Sequence, residues 1–130
     1  MPLVTPLYAA LAAVILIVLA LRVIGARRSR RVALGDGADD DLARRIRAQG
    51  NFTEYAPLAL VLILLLELGG APAWQLHALG AALILGRIVH AWSLPAQSGN
   101  GRLIGMTLTI FVLAAGALGN LKAALGAMVL

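Results

Sequence analysis

The chain alternates long apolar segments with short polar connections. The apolar segments extend over about residues 3–28, 40–68, 73–94 and 102–128. Each is at least as long as the roughly 20 residues that a helix needs to cross the hydrocarbon core of a bilayer. The connections contain glycine, proline or aspartate, which favour turns. The pattern therefore predicts an all-α membrane protein, a four-transmembrane-helix bundle that forms a single domain over residues 1–130.

Composition supports the membrane prediction and excludes several kinds of chemistry. The chain is 61% hydrophobic and 13% charged, with a mean hydropathy of +0.90, which is unusual for a soluble domain. The absence of cysteine excludes disulfides, thiolate metal sites and cysteine nucleophiles. Two histidines, His77 and His90, are too few for a zinc site, so we expect no metal.

The basic residues lie mainly in one connection, which predicts how the chain sits in the membrane. The first connection is rich in arginine, the second carries no charge, and the third is followed by Arg102. By the positive-inside rule, the first and third connections face the cytoplasm and both termini face the opposite side. Arg30 and Arg31 are then interpreted as cations that hold the first connection in the cytoplasm. Glu67 is interpreted as a charge at the opposite membrane interface. Membrane orientation explains the net charge of +5, and the sequence contains no nucleic-acid recognition motif. We therefore expect no nucleic-acid partner.

The second apolar segment begins with an unusual group of polar residues. On a helix with about 100° per residue, Arg47, Asn51 and Glu54 fall within roughly 60° of one another. Arg44 and Tyr55 flank them on the same side. Ionisable groups are costly where a helix enters a bilayer, so they are candidates for a functional site.

Span counting brings further polar residues to the same end of the bundle. Arg87 and His90 lie one helical turn apart near the end of the third segment. A lone arginine in such a position is often a snorkelling anchor, and we favour a site role over that alternative. The residues predicted to gather at the cytoplasmic side are Arg28, Arg44, Arg47, Glu54, Arg87, His90 and Arg102. Guanidinium groups pair with carboxylates in bidentate geometry, so this set suits a small zwitterionic anion.

The polar stretch also resembles a known family. Residues 44–57 follow the pattern R-x-x-R-A-Q-x-N-x-x-E-Y-x-P, which is similar to the second-helix signature of the MAPEG superfamily, the membrane-associated proteins in eicosanoid and glutathione metabolism. The pair Arg27 and Arg28, within V-I-x-A-R-R, resembles the end of the first helix in the leukotriene C synthase branch. The resemblance extends over nearly the whole chain. It implies a homotrimer of four-helix subunits that binds glutathione between neighbouring subunits.

The resemblance also implies roles for individual residues. The positions that match the family's glutathione-binding residues are Arg47, Asn51, Glu54, Tyr55 and Arg87. Arg44 and His90 join them as binding candidates because they face the same region. Arg102 lies near the family's thiolate-activating arginine, and Arg28 is the competing catalytic candidate. The chain departs from the family on helix three, where His90 and Leu94 stand at positions that carry tyrosine in the members with glutathione activity.

Three hypotheses for function follow. The first is a membrane-embedded, glutathione-dependent transferase or peroxidase that acts on lipophilic electrophiles, with glutathione as its co-substrate. The second is a non-catalytic MAPEG-fold protein that binds a lipid or another thiol. The third, ranked last because the first helix carries no carboxylate, is a small four-helix exporter. In each case we expect membrane lipids as partners and, because the pattern is of a bacterial type, a location in the bacterial inner membrane.

Overall fold

A computed structural model describes residues 3–128, and within them it contains four helices and no strand. The helices are α1 (Thr5–Arg30), α2 (Asp40–Leu68), α3 (Ala73–Ser93) and α4 (Gly99–Met128). All four are long and apolar enough to cross a membrane. The predicted all-α four-helix membrane fold is therefore confirmed. The largest difference in bounds is at α4, which begins at Gly99 and not near residue 102, so that Arg102 lies inside its first turn.

Helices α2 and α3 form the centre of the bundle. Each packs against the other three helices, whereas α1 and α4 do not contact each other within residues 3–128. Because the connections are short, successive helices run antiparallel. We call the end where α1 and α3 finish and α2 and α4 begin the arginine end, and the opposite end the terminus end. The first and last described residues both lie at the terminus end.

Polar contacts between helices fix this arrangement at the terminus end. The Tyr8 hydroxyl lies 3.0 Å from Nδ1 of His77 and donates to the His77 carbonyl oxygen over 3.1 Å, which joins α1 to α3. The Asn120 amide donates to the Leu62 carbonyl oxygen over 2.9 Å, which joins α4 to α2. Such contacts contribute about 1 kcal/mol each between helices in a bilayer. The remaining stability comes from close packing around fully buried side chains such as Ile63 and Leu83.

Glu67 has a structural role that the sequence did not predict. Its carboxylate accepts hydrogen bonds from the backbone N–H groups of Leu3, Val4 and Thr5, over 2.6, 2.6 and 2.8 Å. Helix α1 has no side-chain cap of its own, because valine occupies the N-cap position. Glu67 therefore supplies, from the end of α2, both the acceptors and the negative charge that a helix N-terminus favours.

The first connection is closed by ion pairs. Asp39 caps α2, with its carboxylate accepting from the Leu42 N–H over 2.7 Å. Arg30 reaches across from α1 to Asp39 over 2.6 Å and to Asp41 over 2.7 Å. The hydrogen bond from Leu42, with the Arg30 guanidinium beside it, holds the pKa of Asp39 below its usual value. Arg30 thus ties α1 to α2, beyond the topological role that the sequence suggested.

Candidate functional site

An open pocket of about 510 Å³ lies at the arginine end between α2, α3 and α4. Its lining combines guanidinium, amide, phenol and imidazole groups with apolar side chains. The lining residues are Arg47, Asn51, Tyr55, His90, Leu94, Gly99, Arg102, Leu103 and Met106. Five of the residues predicted for the site therefore meet in one cavity, namely Arg47, Asn51, Tyr55, His90 and Arg102.

Helical spacing explains why these residues share the cavity. Arg47, Asn51 and Tyr55 are separated by four residues each, so they lie one above another on the same face of α2. His90 and Leu94 have the same separation across the end of α3. The apolar residues that the first turns of α4 add to the lining, Leu103 and Met106, were not predicted from the sequence. The available signal was the spacing of Met106, one helical turn after Arg102.

Arg87 lies directly behind the pocket and is only 1% exposed. Its Nη1 donates to the side-chain oxygen of Asn51 over 2.6 Å, and its Nη2 donates to the Gly105 carbonyl oxygen over 3.4 Å. Its guanidinium carbon lies 5.9 Å from the centre of the Tyr55 ring, within reach of a cation–π interaction. A snorkelling anchor would reach the interface, whereas this side chain is enclosed by three helices. Arg87 therefore holds two pocket residues in place from inside the bundle.

The buried guanidinium has no acidic partner. Within residues 3–128, Arg87 makes no ion pair, and its Nε has no hydrogen-bond partner. Because the Asn51 oxygen accepts from Arg87, the Asn51 NH2 group is left as a donor for the pocket. The positive charge of Arg87 therefore lies behind the pocket, and the Asn51 NH2 group in front of it can donate to a ligand.

Two glycines allow α3 and α4 to approach closely beside the pocket. A methyl group on Gly105 would lie 2.7 Å from the Gly86 carbonyl oxygen and 2.7 Å from the His90 backbone nitrogen. Both atoms belong to the main chain of α3, so neither could move aside without shifting the helix. This contact is what allows residues from α3 and α4, His90 and Arg102 among them, to line the same cavity.

Besides Arg87, three of the predicted site residues do not line this pocket. Glu54 pairs with Arg47 over 3.0 Å, with the side chains 46% and 62% exposed, respectively, and stands outside the cavity. Arg44 is half-buried, and its Nε is enclosed without a hydrogen-bond partner. Arg28 lines a separate cleft at the end of α1, together with Arg27 and Arg31. Within one protomer, the two candidate catalytic arginines, Arg28 and Arg102, therefore occupy different cavities.

The electrostatic character of the pocket follows from this arrangement. Arg47 and Arg102 line it, and the charge of Arg87 lies just behind, whereas no carboxylate among residues 3–128 lines the cavity. Leu94, Leu103 and Met106 form an apolar wall beside the cations. The cavity is suited to an anion that has a less polar part next to its charged groups. Within residues 3–128, no three His, Cys, Asp or Glu side chains come close enough to hold a metal ion.

The fold and the pocket define a four-helix integral membrane protein with a cationic cavity at one end. The sequence profile of the MAPEG family matches residues 5–122. Inner membrane protein YecN of Escherichia coli strain K12 is 38% identical over 118 residues, which cover 91% of this chain and 90% of YecN. YecN of Escherichia coli O6:H1 strain CFT073 matches with the same identity and coverage. The chain belongs to the MAPEG family, as the motif of residues 44–57 predicted.

Proposed function

We propose that this protein binds glutathione in the pocket at the arginine end and promotes attack of its thiolate on lipophilic electrophiles. The observation that supports this most directly is the combination of Arg47, Arg102 and the buried Arg87 with a lining free of carboxylates. Glutathione carries two carboxylates, an ammonium group and a thiol. Its negative groups would supply the counter-charge that Arg87 and Arg102 lack among residues 3–128, and they would compete with Glu54 for Arg47.

The binding step assigns Arg47 and Arg102 to the carboxylates and the Asn51 NH2 group to a peptide carbonyl. In this proposal Glu54, which pairs with Arg47 outside the cavity, exchanges partners: it releases Arg47 to the ligand and accepts the ligand's ammonium group. The pair it makes with Arg47 is largely exposed, and exposed ion pairs contribute only about 0–1 kcal/mol. Breaking it therefore costs little against charge-assisted hydrogen bonds worth about 1.5–3 kcal/mol each.

The chemical step assigns Arg102 to the sulfur. A free thiol has a pKa of about 8.5, and a neighbouring guanidinium favours the thiolate. The thiol proton passes to water, the sulfur forms a bond to the electrophilic carbon, and the leaving group departs with the bonding electron pair. The electrophile would enter beside Leu103, which lines the pocket and is 68% exposed on the outer face of α4. One substrate then arrives from water and the other from the bilayer.

The same proposal includes a homotrimer in the inner membrane, with the arginine end in the cytoplasm. The pocket is open on one side, and Arg28 lies outside it within the protomer. A neighbouring subunit could close the opening and bring its own Arg28 to the sulfur. Native mass spectrometry in mild detergent tests the trimer, and reporter fusions at the C-terminus test the orientation. A monomer that still binds the thiol, or a C-terminus in the cytoplasm, would contradict these parts.

A second candidate, binding without catalysis, is favoured by one observation. His90 and Leu94 line the pocket at positions where the glutathione-active members of the family carry tyrosine. In that case a thiol or a lipid would occupy the cavity, and no reaction would follow.

Isothermal titration of the purified protein with glutathione tests the proposal. We expect saturable binding that is weakened by Arg47→Ala and unaffected by Arg22→Gln. Arg22 lies in α1, lines no part of this pocket and makes no ion pair within residues 3–128, so it is a matched control for loss of one cation. Binding without turnover of an activated aryl chloride would favour the second candidate. Absence of glutathione binding would reject the first candidate, and under the second candidate it would leave a lipid or another thiol as the occupant.

A further inference from the structure

A second cavity lies at the terminus end, opposite the pocket described above. It has a volume of about 380 Å³ and lies between the end of α2, the turn that follows, the start of α3 and the end of α4. Its lining residues are Leu65, Leu66, Gly69, Gly70, Ala71, Gln75, Gly119, Lys122, Ala123 and Gly126. Along α2, Leu66 is about 22 Å from Asn51 at 1.5 Å per residue. This cavity, which we call the terminus groove, is therefore separate from the candidate site.

Glycines lie at both the base and the rim of the terminus groove. A methyl group on Gly119 would lie 2.9 Å from Cδ2 of Leu66, so α4 approaches α2 closely at the base of the groove. A methyl group on Gly70 or Gly126 would meet no atom within 4 Å. The bundle is thus tightly packed beneath the groove and empty at its rim, and it could accommodate a bound molecule without rearranging.

The charge in the groove is positive and uncompensated. Lys122 lines it, makes no ion pair within residues 3–128, and is the one basic side chain of α4 besides Arg102. Glu67 is the carboxylate nearest in sequence to the groove residues of α2. Its oxygens accept hydrogen bonds from the three N–H groups at the start of α1. In the part of the chain that the structure describes, no acidic side chain lines the groove.

Further hydrogen-bond donors lie in the groove or next to it, at the start of α3. The Gln75 side chain lines the groove, and within the described part of the chain its amide has no hydrogen-bond partner. A methyl group on Gly119 would lie 3.9 Å from Gln75 Nε2, which places this amide over the floor of the groove. Within residues 3–128, the backbone N–H groups of Ala73 and Trp74, in the first turn of α3 just before Gln75, also lack a backbone carbonyl partner. The N-terminus of a helix attracts anions, here beside an ammonium and an amide.

We propose that the terminus groove binds the phosphate headgroup of an anionic phospholipid. Lys122 would pair with the phosphate, and the Gln75 amide would donate to one of its oxygens. Leu65 and Ala123 would contact the start of an acyl chain. Lys122 lies about 9 Å before the end of α4, at 1.5 Å per residue, and the exposed Trp74 stands at the start of α3. Lysine and tryptophan at helix ends are typical of the level of lipid headgroups, which favours a lipid over a soluble anion.

Tryptophan quenching can test this site directly, because the protein has two tryptophans at opposite ends of the bundle. Trp92→Phe leaves Trp74 as the reporter beside the groove. This variant is reconstituted in phosphatidylcholine vesicles that contain a small fraction of brominated phosphatidylglycerol or, separately, brominated phosphatidylcholine. We expect the brominated anionic lipid to quench Trp74 more strongly at equal mole fraction. Adding Lys122→Gln should reduce that preference about fivefold, the factor for about 1 kcal/mol from one lysine near an anionic surface.

Two further variants separate binding from general effects. Gly126→Leu fills the rim, where the structure leaves space, and leucine favours a helix more than glycine does. It should therefore abolish the lipid preference without unfolding α4. Arg22→Gln removes a cation away from the groove and should leave the preference unchanged.

Several outcomes would overturn the proposal. Equal quenching by both lipids, or an unchanged preference in Lys122→Gln, would show that no anionic lipid is held there. Relief of quenching by free glycerol phosphate would identify the ligand as a soluble anion. A change in oligomer size in Lys122→Gln, with no change in lipid preference, would identify the groove as a contact between subunits.

Discussion

Arg87 donates to the side-chain oxygen of Asn51 over 2.6 Å, and both residues are buried between helices. The pair joins α3 to α2 immediately behind the candidate pocket, and it joins a charged group to a neutral one. The two residues are therefore not equivalent. Removing the Asn51 amide leaves a buried cation without its acceptor, whereas removing the Arg87 cation leaves only an amide oxygen without its donor.

This asymmetry gives the first prediction. Arg87→Met should destabilise the protein by about 1–3 kcal/mol, the usual cost of one unsatisfied buried group. Asn51→Leu should cost more, since it leaves a buried charge without its best acceptor. Chemical unfolding in detergent micelles measures both changes. The double variant should cost less than the sum of the two single variants, because the residues share one interaction. Additive costs would show that the two side chains do not depend on each other.

The second prediction concerns the close contact of α3 and α4. Gly105→Ala places a methyl group 2.7 Å from main-chain atoms of α3, so the helices must separate. We expect a loss of about 1–3 kcal/mol in the free energy of unfolding and weaker binding of any pocket ligand. The control is Gly25→Ala in α1, where a methyl group meets no atom within 4 Å. That variant should be neutral or stabilising by up to about 1 kcal/mol, since alanine favours a helix. Similar unfolding curves for the two variants would contradict the prediction.

The third prediction concerns the pH dependence of the cap on α2. The Leu42 N–H and Arg30 hold the pKa of Asp39 below its usual value. A carboxyl group whose pKa is depressed by folding stabilises the folded state above its unfolded pKa of about 3.9, and the contribution disappears as the pH falls through the folded value. Asp39→Ala should therefore have a lower melting temperature than the parent at pH 7. The gap should begin to narrow below about pH 4 and close as the pH falls through the folded pKa of Asp39.

Asp39→Asn is the matched control for this prediction. Asparagine keeps an oxygen that can cap the helix and loses the charge. It should retain part of the stability at pH 7 and show less change with pH. If the gap between Asp39→Ala and the parent is the same at pH 7 and pH 3, the cap does not act through its charge.

The fourth prediction concerns Glu67 and the start of α1. Its carboxylate accepts from the N–H groups of Leu3, Val4 and Thr5. Glu67→Ala should therefore increase hydrogen exchange at these three amides and leave the middle of α1 protected. Glu67→Gln keeps one oxygen acceptor and should give an intermediate rate. Unchanged exchange at residues 3–5 in Glu67→Ala would show that the contact does not hold the helix start.

The helices were predictable because hydropathy and span length decide membrane helices almost alone. The shared face of Arg47, Asn51 and Tyr55 was predictable too, since it depends only on helical spacing. The hydrogen-bond partners of Arg87 and Glu67 were not predictable from the sequence. Whether the Arg87 side chain turns inward depends on the contact between Gly86 and Gly105. The hydrogen bonds that the Glu67 carboxylate accepts come from the start of α1, a different helix. Both are contacts between residues distant in the chain, which periodicity within one helix does not contain.

The last prediction separates the roles of the arginines in the pocket. Arg102 lies in the first turn of α4 and lines the cavity beside its apolar wall, where the sulfur of a bound thiol would meet a lipophilic substrate. Arg102→Ala should therefore reduce turnover of an activated aryl chloride, and the ultraviolet thiolate absorbance of bound glutathione, much more than it weakens binding. Arg47 lies among the polar groups of α2, so Arg47→Ala should weaken binding by about 1–3 kcal/mol, the scale of one charge-assisted hydrogen bond.

Arg28→Ala completes this comparison, because its cleft is separate from the pocket within one protomer. If Arg102→Ala retains both turnover and thiolate signal while Arg28→Ala loses them, activation passes to a neighbouring subunit's α1. The turnover and thiolate signal that Arg28→Ala loses should then require the intact oligomer. Dissociated protomers of the parent and of Arg28→Ala should show the same low values. If both variants keep the thiolate signal, neither arginine activates the sulfur. The pocket would then be a binding site without the proposed chemistry, which is the second candidate function.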